Sequence, residues 1–122
     1  MKLSRQQALV LYALGEMCQR INARVSKNNL EAYVTKAAFI HLVQSIKLFS
    51  KKQRALYKNL EVLETKKIIN YDEKKVMLTN TGQRLFTQLT NKLNPYMQMR
   101  EVITKEDLLK YTNLQTSFKT KL

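Results

Sequence analysis

Apolar residues first recur at helical spacing. Leu11, Leu14, Cys18, Ile21 and Val25 stand three and four residues apart, the stripe of an amphipathic helix that buries one side. Ser4 and Gln7 precede it with the spacing of a capping box, in which each residue satisfies an amide that has no partner in the first turn. The first helix is therefore predicted from residue 4 to about residue 25. Val10 and Met17 widen the stripe, and Leu9 and Tyr12 carry apolar area to the other side. One core needs less than that, so part of this helix is expected to meet a second subunit. Gly15 either permits close approach of a partner helix or is merely tolerated, at a cost of about 1 kcal/mol relative to Ala.

Residues 26–30 are polar and rich in turn formers, hence a connection. Ala32-Tyr33-Val34 reads as a very short strand. Thr35 then caps a second helix expected to reach about residue 48, with Phe39, Leu42, Val43 and Ile46 on its inner face and His41 off it. Ser50 and Gln53 repeat the capping-box spacing and predict a third helix at about 50–66. Ile68-Ile69-Asn70-Tyr71 and Lys75-Val76-Met77-Leu78, around Asp72-Glu73-Lys74, predict a β-hairpin with a charged loop. A fourth helix starts at Asn80 or Thr81, carries Leu85, Phe86, Leu89 and Leu93, and is expected to break by Pro95. Thr104 and Asp107 suggest a further short helix to about Asn113, and residues 115–122 are expected to fray. The fold class expected is mainly α with a small β-hairpin (α+β). One domain is expected over residues 1–94, followed by a C-terminal helical extension over 95–122.

Composition narrows the function. The 122 residues suit one domain, and 44% of them are hydrophobic, enough for a modest core. No apolar stretch is long enough to span a membrane, and no secretory signal is read at the start. The single cysteine, Cys18, implies a reducing, intracellular setting, cytoplasm or nucleoid. Charge changes the picture most: 22 basic against nine acidic residues give +13. Residues 1–34 carry five against two, residues 35–94 twelve against four, and residues 95–122 five against three. An excess gathered in the middle suits a polyanion. His41 has no neighbouring ligand, so no metal and no cofactor are expected. Glu61 and Glu64 stand beside Lys58 and Lys67 as ordinary ion-pair partners. No constellation suggests catalysis.

The Leu48-Phe49-Ser50 junction is short enough to set the second and third helices at a steep angle, a helix-turn-helix arrangement. On a helical wheel Leu56, Leu60 and Leu63 share one narrow sector of the third helix. Opposite them fall Lys51, Arg54, Lys58, Glu61 and Thr65, with Tyr57 at the flank. A helix that reads DNA needs such an arrangement, since Arg or Lys near its start can reach guanine edges in the major groove. The candidate DNA-binding residues are Lys51, Lys52, Arg54, Tyr57 and Lys58 on this helix. Lys74 and Lys75 at the hairpin tip would grip phosphates beside the groove.

The run from Arg54 through Leu60, Glu61, Lys66 and Lys67 to Ile68-Ile69 resembles the recognition helix of winged helix-turn-helix regulators, where it leads into the first wing strand. Leu78-Thr79-Asn80-Thr81-Gly82 resembles the Leu-Thr-x-x-Gly that closes the wing in MarR-like and PadR-like regulators. The short wing is also similar to that of small archaeal winged-helix DNA-binding proteins, which dimerise through a C-terminal coiled coil. The resemblance covers residues 35–90. It implies a winged helix with extra N- and C-terminal helices, binding double-stranded DNA as a regulator or as a chromatin-coating protein. Lys67 departs from the family's usual glycine, and Pro95 interrupts any long coiled coil. The rival is a winged-helix subunit that binds RNA or protein in a larger assembly. A homodimer is expected, pairing the first helix with the apolar segment after Pro95 and setting two recognition helices about 34 Å apart. The alternative is that the segment folds back on its own chain.

Overall fold

The computed structural model describes residues 2–27, 33–49, 51–72 and 74–112. It opens on α1 (Arg5–Lys27), and the capping box forms as its spacing predicts. The Gln7 amide donates to Ser4 Oγ and the Ser4 amide to Gln7 Oε1, both at 3.1 Å. Val10, Leu11 and Leu14 are fully buried, whereas Cys18, Ile21 and Val25 are only half-buried. The core thus sits under the first half of α1. Its second half borders an open groove. Gly15 allows a close approach, but from within the chain, because a Cβ there would overlap the ring of Phe86.

β1 (Val34–Thr35) follows, ending one residue later than the pattern suggests and leaving out Tyr33, and Ala32 lies outside the described residues. Thr35 ends that strand and caps α2 (Lys36–Val43), its Oγ1 accepting from the Ala38 amide at 3.1 Å. This helix stops five residues short of the expected end. Ser45 Oγ donates to the Leu42 carbonyl at 2.6 Å, and amide bonds from Ser45 to Leu42 and from Ile46 to Val43 tighten the chain into successive turns. A serine hydroxyl that captures a backbone carbonyl competes with helix continuation. The inner face also differs from expectation. Phe39, Ile40 and Val43 are buried, while Leu42 and Ile46 are exposed.

α3 (Gln53–Thr65) begins later than expected, with Lys52 as N-cap and no side-chain cap. Gln53 is its first helical residue, so it cannot close a capping box, and Ser50 lies outside the described residues. Leu56, Leu60 and Leu63 form the buried face as the wheel predicts. The helix ends without glycine because Lys67 itself takes the left-handed conformation, at φ 60°. Ile68 donates its amide to Leu63 and Lys67 to Glu64, both at 2.9 Å, which is the Schellman pattern.

β2 (Ile69–Asp72) and β3 (Lys75–Leu78) form the hairpin, and β1 adds a third antiparallel strand in the order β1-β3-β2. Thr79 then anchors the next helix. Its hydroxyl lies 2.6 Å from the Lys67 carbonyl and accepts from the Gly82 amide at 3.1 Å. A Cβ at Gly82 would collide with the Ile68 carbonyl. The Leu-Thr-x-x-Gly sequence is thus a packing device that seats a helix start against the end of α3.

α4 (Asn80–Lys105) runs through Pro95, which the sequence placed at a break. A proline at helical φ costs one hydrogen bond, that to the carbonyl four residues back. Asn91 is exposed, so water can take that carbonyl. Thr104 lies inside this helix, its hydroxyl bonded back to Arg100 at 2.7 Å, and does not start a new one. A single 3-10 turn, Leu108–Tyr111, follows. Residues 113–122, including the expected frayed end, lie outside the description.

The chain divides into two compact units, Met1–Thr90 and Asn91–Leu122. The first holds the core: α1, the sheet, α2, α3 and Phe86 of α4. In the second, every described residue is exposed, among them Tyr96, Met97, Met99, Val102 and Ile103. No described helix is long and apolar enough to cross a membrane.

Candidate nucleic-acid interface

Three leucines fix the orientation of α3. With Leu56, Leu60 and Leu63 in the core, Arg54, Lys58, Glu61 and Thr65 are turned to solvent, and Lys51 and Lys52 are exposed just before the helix. The segment ahead of α3 is tied down at two points. Gln44 Nε2 donates to the Lys51 carbonyl at 3.1 Å, and Gln6 Nε2 to the Leu48 carbonyl at 3.4 Å. At the far end, Lys66 Nζ donates to the Lys2 carbonyl at 3.1 Å and to Gln7 Oε1 at 3.3 Å. Both ends of α3 are therefore braced by the N-terminal segment.

The electrostatics of α3 run against its own stability. The first turn of a helix carries partial positive charge and is stabilised by acidic residues, by about 0.3–1 kcal/mol each. This one has no acidic residue there and is preceded by Lys51 and Lys52. The acids stand instead in its second half, at Glu61 and Glu64. Among the described residues, Lys51, Arg54 and Lys58 join no ion pair. An anion bound at this end would offset the repulsion by charge-assisted hydrogen bonds to the lysines, the guanidinium and the free helix amides.

Tyr57 is placed differently from its basic neighbours. It is half-buried against the core rather than flanking them in solvent. Near it on β2 is Tyr71, whose phenol pKa is pushed up to about 12 by burial, with the charges of Glu64 and Glu61 and the nearby Tyr57 adding to the shift. Lys36 Nζ rests 3.8 Å from the centre of the Tyr71 ring, a cation–π contact.

On the hairpin, Lys74 occupies the turn and is exposed, and residue 73 lies outside the description. Lys75 is not at the tip. It is the first residue of β3, opposite Thr35 on one side and Asp72 on the other, and its ammonium lies 5.4 Å from the centre of the Tyr33 ring. Lys36 and Lys47 lie in an acid-poor stretch of the sequence, since no Asp or Glu occurs between Glu31 and Glu61 while six lysines and arginines do. His41 is exposed, and the described residues hold no cluster of three or more His, Cys, Asp or Glu that could bind a metal.

Comparison of the chain with protein-family models, with curated proteins and with solved structures finds no match in any of the three.

Proposed function

We propose that this chain is a winged helix-turn-helix protein that binds double-stranded DNA, with α3 in the major groove and the β2–β3 hairpin on the adjoining backbone. The observation that carries this reading is the polarity of α3: a leucine face in the core, a basic first half facing solvent, and its acids confined to the second half. Supporting it are the element order α1-β1-α2-α3-β2-β3-α4 and the strand order β1-β3-β2, the connectivity a winged helix requires. Lys51, Lys52 and Lys58 hold phosphates, Arg54 reaches base edges, and Lys74 and Lys75 grip the backbone from the hairpin. The role is binding rather than catalysis, and regulation of transcription is the use that fits base reading.

Competition by fluorescence anisotropy tests this. Labelled duplex DNA bound to the protein should be displaced by unlabelled duplex and poorly by structured RNA of equal length. Displacement by RNA at lower concentration than by DNA would move the partner to RNA. Arg54→Ala should lower affinity by about 1–3 kcal/mol and flatten preference at one base position. An equal loss on target and random DNA would reduce Arg54 to a phosphate contact and the protein to a DNA coat.

A further inference from the structure

We infer that the groove between α1 and the segment from Leu42 to Phe49 receives an acidic amphipathic helix of another protein. The groove has a volume of about 760 Å³, and its walls are Leu9, Ala13 and Met17 on α1 and Leu42, Ile46 and Leu48 opposite. Leu42, Ile46 and Leu48 are left 44%, 37% and 58% exposed. They are held outward by the turns after α2, in which Ser45 is bonded to Leu42 and Ile46 to Val43.

The chemistry of the walls sets the form of the occupant. Apolar side chains offer an incoming chain almost no hydrogen-bond partners, and a peptide backbone buried without partners is costly. An extended peptide would need a strand edge to bond to, and among the described residues no strand lines this groove. An α-helix satisfies its own amides and presents only side chains. The length agrees. Gln6 bonds the Leu48 carbonyl near one end, and Arg24 stands eighteen residues further along α1. That is roughly 27 Å at 1.5 Å per residue, about five turns of an occupying helix.

Charge sets its sign. Arg20 and Arg24, one turn apart, line the groove with Glu16 as the one acid among its described lining residues. Glu16 is already paired with Arg20 at 3.2 Å, and Lys47 is exposed between Ile46 and Leu48. Three cations against one acid favour a partner that brings carboxylates. The whole chain, at +13, attracts an acidic protein from a distance and repels a second copy of itself. The occupant therefore carries apolar residues three and four apart on one face. Its Asp or Glu residues flank that face where it meets Arg20 and Arg24.

Docking at this groove would bear on the segment that leads into α3, since Gln44 in that segment holds the Lys51 carbonyl. The inference does not rest on DNA binding and is tested without DNA. The probe is a library of random peptides of about 20 residues, long enough to fill the groove, displayed on phage and selected on the full chain. Enriched peptides should share the apolar spacing and the acids, and a labelled one should gain helix on binding. Leu48→Ser should weaken that peptide about tenfold or more. Leu48 is exposed, and circular dichroism checks that each variant remains folded. Arg20→Glu/Arg24→Glu should weaken it as much, and the same peptide remade with lysine for its acids should prefer that variant to the native chain. Lys51→Ala/Lys52→Ala should leave binding unchanged. Loss of binding in that last variant would place the peptide on α3 and overturn the inference. So would a dimer in sedimentation equilibrium that Leu48→Ser dissociates, because a second copy would then fill the groove. A selection that enriches no peptide would overturn it as well, and dodecanoate bound in a Leu48-dependent way would then make the occupant a lipid chain.

Discussion

A Cβ at Gly82 would meet the Ile68 carbonyl, a backbone atom that cannot step aside without moving the end of α3. Gly82→Ala should therefore cost more than about 2 kcal/mol in urea unfolding, above the range of an ordinary surface change. Lys67 presents the opposite case. It holds φ 60° with an L side chain, so Lys67→Gly should stabilise the fold by about 1 kcal/mol. No change in either variant would mean that these backbones are not held as described. Tyr71 gives a third test. Its folded pKa lies above the ordinary tyrosine value of 10, so the folded state keeps a proton that the unfolded chain releases, and stability should fall as pH rises from 10 towards 12. In an ultraviolet titration of the six tyrosines, Tyr71 should ionise last, and Tyr71→Phe should remove that late component. The sequence showed the glycine of Leu-Thr-x-x-Gly but not the carbonyl it accommodates, because Ile68 is fourteen positions away. It showed the missing glycine at 67 but not that lysine would adopt the strained conformation itself.

At the scale of elements, local signals were legible and tertiary choices were not. Ser4 with Gln7, and Thr35 as a cap, act over three residues and form as their spacing suggests. The leucine face of α3 was equally clear, because its polar side left no alternative. α2 offered Ile40 and Leu42 as equally apolar candidates, and only packing against the rest of the core chose Ile40. The pairing of β1 with β3 joins residues forty or more apart and leaves no local trace. Pro95 reads as a stop in the sequence, whereas its neighbours are exposed enough for the helix to lose one bond and continue. Pro95→Ala should restore that bond and stabilise the helix locally by up to about 3 kcal/mol. Amide hydrogen exchange over residues 91–105 should slow accordingly. Unchanged exchange would show that the helix around Pro95 is held by something other than its own hydrogen bonds.

For the whole molecule, the decisive quantity is the charge field and where it can act. The excess of basic residues was plain in the sequence, and their concentration over residues 35–94 gave the candidate site. The wheel also gave the outward positions of Arg54 and Lys58. What it could not give was the inward lean of Tyr57, since that depends on neighbours distant in sequence. The central claim is that this field grips the backbone of duplex DNA, and salt tests it most directly. Each neutralised phosphate contributes roughly −0.9 to the slope of log affinity against log salt, so about five contacts give a slope near −4 to −5. Lys74→Ala and Lys75→Ala should each reduce that slope by roughly one unit for every sequence alike. The measurement is fluorescence anisotropy of a labelled duplex over a series of salt concentrations, for the native chain and these two variants. A steep slope that flattens stepwise in the variants is the expected result, and affinity that barely changes with salt would contradict it.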